Sequence, residues 1–189
     1  REEPGMLVQP ETFDAHIQTL KELFTILPLS EWIDRHQNGK SLPQKACAIT
    51  FDDGWQDNYE YAFPVIKKHQ IPVTLFAVSN MIGTQKHFWP NRISNLLQRA
   101  TDQQLAHIEW LHPDIKTVAS KGFSAENAAG IIDQMKKWPD NEIVEWLTKT
   151  EQENNILSPP TAPLMSWDQL REMQTSGLVE IGSHTQNHG

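Results

Sequence analysis

The sequence predicts an α/β fold: parallel strand–helix–strand units interrupted by a helical insertion. Two observations carry this. Short apolar runs with β-branched members, near residues 46–51 and 72–78, flank a helix-length segment, the spacing of a parallel βαβ unit. Strand signals then vanish from about residue 85 to 158, where apolar residues recur at helical spacing, and return at 179. The expected organisation is a single domain over residues 1–189, with the helical segment at about 85–158 inserted within it.

In chain order, residues 12–24 read as a helix capped by Thr12, with Phe13, Ile17, Leu20 and Phe24 on one face. Leu29 to Ile33 open a second helix that ends near Asn38-Gly39, a C-cap signal. Ala46 to Phe51 reads as one buried strand, closed by Asp52-Asp53-Gly54. Asp57 to His69 reads as a helix interrupted at Pro64, and Pro72 to Val78 as the next strand. Within the insertion, Ile93, Leu96 and Leu97 mark one helix. Ser124 followed by Ile131, Ile132 and Met135 marks another, and Asp140 followed by Ile143, Val144 and Leu147 a third. The proline-rich stretch 158–163 is a stiff connector. Ser166 and Gln169 have capping-box spacing for a helix that stops near Gly177, and Val179 to Gly182 is a strand delivering Ser183 and His184.

Composition narrows the functional classes. A net charge of -8 argues against nonspecific binding to nucleic acid or anionic membrane, both of which need a basic surface. No apolar run approaches the length of a membrane span. The start, Arg1-Glu2-Glu3-Pro4-Gly5, has neither an initiator Met nor an apolar signal region, and so does not reveal a compartment. The single cysteine, Cys47, sits in the apolar run Ala46 to Ile49, where a buried structural thiol is expected rather than a nucleophile.

Two short strings carry the chemistry. Thr50-Phe51-Asp52-Asp53-Gly54 places adjacent carboxylates at a strand end, and His184-Thr185-Gln186-Asn187-His188 spaces two imidazoles four residues apart. Adjacent like charges repel, and consecutive strand residues face opposite ways. A sharp turn at Gly54 can aim both carboxylates into a cleft, one onto a metal and one left to take a proton. Taken alone, the pair also fits two helix-capping aspartates. On one helical turn, residues four apart bring both rings to one side, which suits a divalent ion. Taken alone, the two histidines also fit unrelated polar residues. His16, His36, His69, His87, His107 and His112 show no such pairing and read as surface or helix-end residues.

Thr50-Phe51-Asp52-Asp53-Gly54 and Ser183-His184-Thr185-Gln186-Asn187-His188 together resemble the first two motifs of the polysaccharide deacetylase family, the NodB-homology group of carbohydrate esterases. The strand Pro72 to Val78 and the segment Ser166-Trp167-Asp168-Gln169-Leu170 leading to Glu180-Ile181-Gly182 extend the likeness. It covers residues 45–84 and 164–188 well, 10–44 loosely and 85–160 poorly.

The resemblance implies an irregular (β/α) barrel of the NodB type and a metal-dependent hydrolase that removes N-acetyl groups from a polysaccharide. Asp53, His184 and His188 would be the metal ligands and Asp52 the general base, drawing a proton from water as it attacks the acetamide. Zinc is the default ion, with cobalt, iron and manganese compatible with the same ligands. Trp55 could line a sugar cleft, but a Trp there more often packs on the following helix. The bacterial envelope, periplasm or exterior is favoured over the cytoplasm.

The family's later motifs, including the histidine that acts as general acid, lie beyond Gly189. An intact barrel of this general kind needs about 250 residues. The expectation is therefore a truncated, N-terminal part of a longer enzyme, inactive by itself, whose exposed strand edges invite oligomerisation. Competing readings are a catalytically silent glycan-binding or structural domain of the same fold, and an esterase or amidase on another substrate.

Overall fold

Pro10 opens the first helix, α1 (Pro10–Leu23), in the computed structural model, which describes residues 8–108, 124–156, 159 and 162–188. A proline in the first turn lacks only an N–H that would have no helical partner. Thr12 therefore lies inside the helix and does not cap it. Within the described residues the chain divides into two compact units, Val8–Lys86 with Ala162–Gly189, and His87–Thr161.

The sheet unit contains all five described strands, and all their ladders are parallel. The apolar run at 46–51, expected as one strand, is two. β2 (Ala46–Cys47) pairs with β1 (Thr25–Ile26), whereas β3 (Thr50–Asp53) pairs with β4 (Val73–Ala77) in a separate sheet. The switch shows in the main chain. The Cys47 carbonyl accepts from the Leu27 amide at 2.9 Å, and the Ile49 carbonyl already accepts from Thr74 at 3.0 Å. Nor is the run buried as expected: Ala46 to Ile49 and Phe51 are half-buried and Thr50 is exposed, because the run changes sheet partway and neither short ladder covers it fully.

The larger sheet has the order β3-β4-β5, with β5 at Val179–Ser183. Central β4 is covered on both faces, which is why it reads as a continuous apolar run. The register aligns Asp53, Ala77 and Ser183, so all three strands end level. The residues that follow them emerge along one edge. The five strands form these two separate sheets and do not close into a barrel among the described residues; the fold is mixed α/β.

The helices of this unit follow their local signals closely. α2 (Leu29–Gln37) ends at Asn38, with Gly39 at φ +64°. The segment expected as a helix from Asp57 to His69 begins as a π-helical turn, Asn58–Ala62, and continues as α3 (Phe63–His69). Pro64 lies in the first turn of α3, where it is tolerated, and the wider turn sits just ahead of it.

The helical unit contains α4 (Trp89–Arg99), α5 (Asp102–Ala106), α6 (Ala125–Met135) and α7 (Asp140–Glu153). Ser124 caps α6, accepting from the Asn127 amide at 3.0 Å. α4 packs on both α6 and α7. One apolar cluster, centred on Ile93, Leu96, Ile131, Met135, Ile143 and Leu147, forms its core. Val144, expected on the same face of α7, is exposed. Inside this unit Arg92 holds Glu151 through both carboxylate oxygens, at 3.1 and 2.8 Å, with both side chains largely covered.

Back in the sheet unit, α8 (Trp167–Thr175) starts with the full capping box. The Gln169 amide donates to Ser166 Oγ at 3.2 Å, and the Ser166 amide donates to Gln169 Oε1 at 2.8 Å. The helix packs on β5 and is followed by Gly177 at φ +75°. The connector expected at 158–163 and His112 lie partly or wholly outside the described residues. Cys47 is half-buried rather than buried.

Candidate metal centre

The level strand ends decide what meets at the sheet edge. Asp53 is the last residue of β3, and His184 follows β5 directly. Main-chain bonds knit the three ends together. The Val78 amide donates to the Asp53 carbonyl at 3.2 Å, and the His184 amide donates to the Ala77 carbonyl at 2.9 Å. The stretch 185–187 is strapped to the turn after β4. Ser79 and Asn80 amides donate to the Thr185 and Gln186 carbonyls at 3.4 and 3.1 Å, and Asn80 Nδ2 donates to Asn187 Oδ1 at 2.9 Å.

This strap replaces the helical turn that the four-residue spacing suggests. Residues 184–188 are not helical: Thr185 sits at φ +61° and His188 at φ +66°. Thr185 Oγ1 accepts the His188 amide at 2.9 Å and closes the turn locally. The two rings still converge, with centroids 5.2 Å apart. A left-handed conformation is rare for a β-branched residue, so the surrounding bonds must hold it there.

Asp53 is likewise left-handed, at φ +71°, and Gly54 follows at φ +87°. A Cβ at Gly54 would stand 2.7 Å from Ile82 Cδ1, so the residue type there is set by space as well as by φ. The two successive turns reverse the chain sharply and aim the Asp53 carboxylate at the imidazoles. Asp53 Oδ1 lies 3.5 Å from His184 Nε2 and 3.2 Å from His188 Nε2. One donor atom from each residue falls within 4.8 Å of the others, the one such cluster of three among the described residues.

The donor set fits a divalent ion. Nitrogen and oxygen donors about 2.0–2.2 Å from a tetrahedral zinc stand about 3.4 Å apart, close to the separations seen here. Exposure is graded in the way an open site needs. The Asp53 side chain is 15% exposed, that of His184 36% and that of His188 47%. The anionic ligand is covered, while the imidazoles face outward where water and a substrate can approach.

Asp52, the expected base, stands one residue earlier on β3, is exposed, and lies outside the three-donor cluster. Trp55 plays a part that sequence reading missed. Its indole Nε1–H donates to Asp53 Oδ2 at 2.7 Å, so it neither lines a cleft alone nor simply packs on the next helix. Its place immediately after Gly54 was the available signal, because the reversal there folds residue 55 back over residue 53. Of the other histidines, His69 closes α3 against Asp14 at 2.7 Å. His87 is half-buried, and burial holds its imidazole below the ordinary value of 6.5.

The polysaccharide deacetylase family model matches residues 39–189, and the chain belongs to that family. Among individual proteins, it is similar to the poly-β-1,6-N-acetyl-D-glucosamine N-deacetylase of Staphylococcus epidermidis. The two are 41% identical over 180 residues, which is 90% of this chain and 59% of that protein. Similarity to YxkH of Bacillus subtilis is 28% over 134 residues, covering 69% and 47%. The chain thus spans about half to three fifths of the length of these curated relatives. Among solved structures, IcaB from Ammonifex degensii superposes with a TM-score of 0.54 at 20% identity, covering 99% of this chain and 49% of that one. The BpsB deacetylase domain from Bordetella bronchiseptica gives 0.52 at 19%, covering 99% and 47%. At these identities the structural likeness concerns the fold.

Proposed function

We propose that this chain carries the metal-binding and general-base part of a metal-dependent hydrolase that removes N-acetyl groups from a polysaccharide. The observation that carries the reading is the convergence of Asp53, His184 and His188 at the ends of parallel strands, with Asp52 one residue earlier on β3. The name of the Staphylococcus epidermidis relative favours poly-β-1,6-N-acetyl-D-glucosamine as the glycan. A polymer of that kind favours a reaction at the bacterial cell envelope, in the periplasm or outside the cell.

Asp53, His184 and His188 would hold the ion, and the donor set suits zinc while admitting cobalt, iron or manganese. Once bound, the ion supplies Lewis acidity toward water and the acetamide oxygen. Asp52 takes the proton from the attacking water; its exposed position leaves room for water and glycan to reach it. The amide C–N bond breaks as the nitrogen takes up a proton, so that one water is added overall and acetate and the amine of the sugar result. The half-exposed imidazoles leave the outward side of the centre open to the N-acetyl group.

The direct test is acetate release by the whole protein from β-1,6-linked and β-1,4-linked N-acetylglucosamine oligomers, with and without a chelator. Release from the β-1,6 oligomer that the chelator stops and added zinc restores is the expected result. Release indifferent to the chelator would overturn the metal dependence. Glycan binding with no release from any substrate would point instead to a silent binding domain.

A further inference from the structure

Trp55 is one of seven tryptophans in the chain, and its indole N–H points at the expected metal ligand. Asp53 has two carboxylate oxygens with different surroundings. Oδ1 faces His184 and His188, and Oδ2 accepts from Trp55 Nε1 at 2.7 Å. An indole N–H is a donor only, so the contact can be made in a single sense. It fixes the rotation of the carboxylate and leaves Oδ1 to the imidazole side.

The indole is itself held from outside its own loop. Trp55 forms an antiparallel bridge with Leu164, which is fully buried. Flanking bonds run from the Gln56 amide to the Pro163 carbonyl at 3.0 Å and from the Met165 amide to the Gly54 carbonyl at 2.9 Å. A segment more than a hundred positions away in sequence therefore clamps residues 54–56 on both sides of Trp55.

We infer that Trp55 is a positioning residue for the metal centre: it engages Asp53 Oδ2 so that Asp53 serves as a one-oxygen ligand through Oδ1. This rests on reading Asp53 as a ligand. A carboxylate rotated by loss of the indole donor could offer both oxygens or neither, and both cases change coordination. Partners that orient ligating side chains typically account for about 10- to 100-fold in metal affinity.

The test compares the whole wild-type protein with its Trp55→Phe variant, which keeps an aromatic ring and deletes the donor. Zinc affinity is measured by competition with a chromophoric chelator, the visible spectrum of the cobalt-substituted protein reports ligand geometry, and the apo thermal midpoint reports folding. The expected result is zinc binding weaker by about 10-fold or more and an altered cobalt spectrum, with the apo midpoint little changed. Wild-type affinity and spectrum in Trp55→Phe would overturn the inference while leaving the metal site intact. Failure of the wild-type whole protein to bind zinc or cobalt would instead overturn the reading of Asp53 as a ligand.

Should Trp55→Phe not fold, the indole N–H resonances of the wild-type protein decide the matter. One is expected to exchange slowly, to shift on zinc addition, and to lose its protection in Asp53→Ala. An indole set indifferent to both zinc and Asp53→Ala would refute the role.

Discussion

Five of the six described non-glycine residues with positive φ lie in the sheet unit, and one, Asn155, in the helical unit. Three of the five, Asp53, Thr185 and His188, are at the candidate metal centre. The helical unit is built from agreeing local signals: Ser124 caps α6, apolar residues recur at helical spacing, and one cluster buries them. The sheet unit departs from local preference where the donors meet. Left-handed backbone of this kind costs of order 1–3 kcal/mol per residue and persists only where surrounding bonds hold it. Here those bonds are the strap from Ser79 and Asn80 and the ladder partners of β4. The contrast teaches that local consistency marks the part that only has to be stable, and its violation marks the part positioned for chemistry.

The sharpest way to separate the two units is Asp52→Asn. It should lower deacetylation by the whole protein about 10²- to 10⁴-fold, the usual worth of a general base, while zinc affinity and thermal midpoint stay near wild type. Loss of zinc binding would show instead that Asp52 belongs to the ligand set. The converse change is Leu147→Ala in the helical unit, at a fully buried position. It should destabilise by about 2–5 kcal/mol in chemical denaturation without changing zinc affinity. A coupled fall in metal binding would break the proposed division.

Gly182→Ala tests packing inside the sheet unit at a residue that offers no donor atom itself. A Cβ at this position would lie 2.6 Å from Phe76 Cδ1, so the ring must move. A loss of about 1–3 kcal/mol is expected, read as a lower denaturation midpoint. An unchanged midpoint would mean that the Phe76 ring swings aside at little cost.

The smallest effect is in pH dependence. Burial lowers the His87 imidazole from its ordinary 6.5, so the unfolded chain takes up that proton first. The stability His87 contributes is full above 6.5 and is lost as pH falls from there through its lower folded value. In the sheet unit, hydrogen bonds from Lys68 and His69 lower Asp14 from 3.8, and its contribution fades only as pH falls below that value. Amide hydrogen exchange across an acid titration should show α4 and α7 loosening before α1 and α3. The reverse order would contradict the assignment.

Much of this was legible in the residues themselves. Ser166 and Gln169 announced α8, Ser124 announced α6, and the continuous apolar run announced buried β4. The residue types of the centre, one Asp and two His, were legible too. Less so was the run from Ala46 to Asp53, which is half-buried to exposed and split between two sheets, because apolar patterning does not show which neighbour a strand pairs with. The four-residue histidine spacing suggested a helical turn, and the observed turn is left-handed at Thr185. The bond from the His188 amide to Thr185 Oγ1 closes that turn locally, and the strap from Ser79 and Asn80 holds it in place.

By itself, then, the sequence determined the family, the α/β character, the helices α4, α6 and α7 though not α5, and the candidate donor residues, since these depend on short-range periodicity, caps and residue chemistry. Only the tertiary structure decided that three strand ends would stand level, that Asp53 would turn left-handed, and that Trp55 would hold one of its oxygens. The level ends rest on ladders between segments up to a hundred or more positions apart, and the hold of Trp55 on Asp53, two residues away, rests on the clamp that Leu164 and its neighbours supply from such a distance.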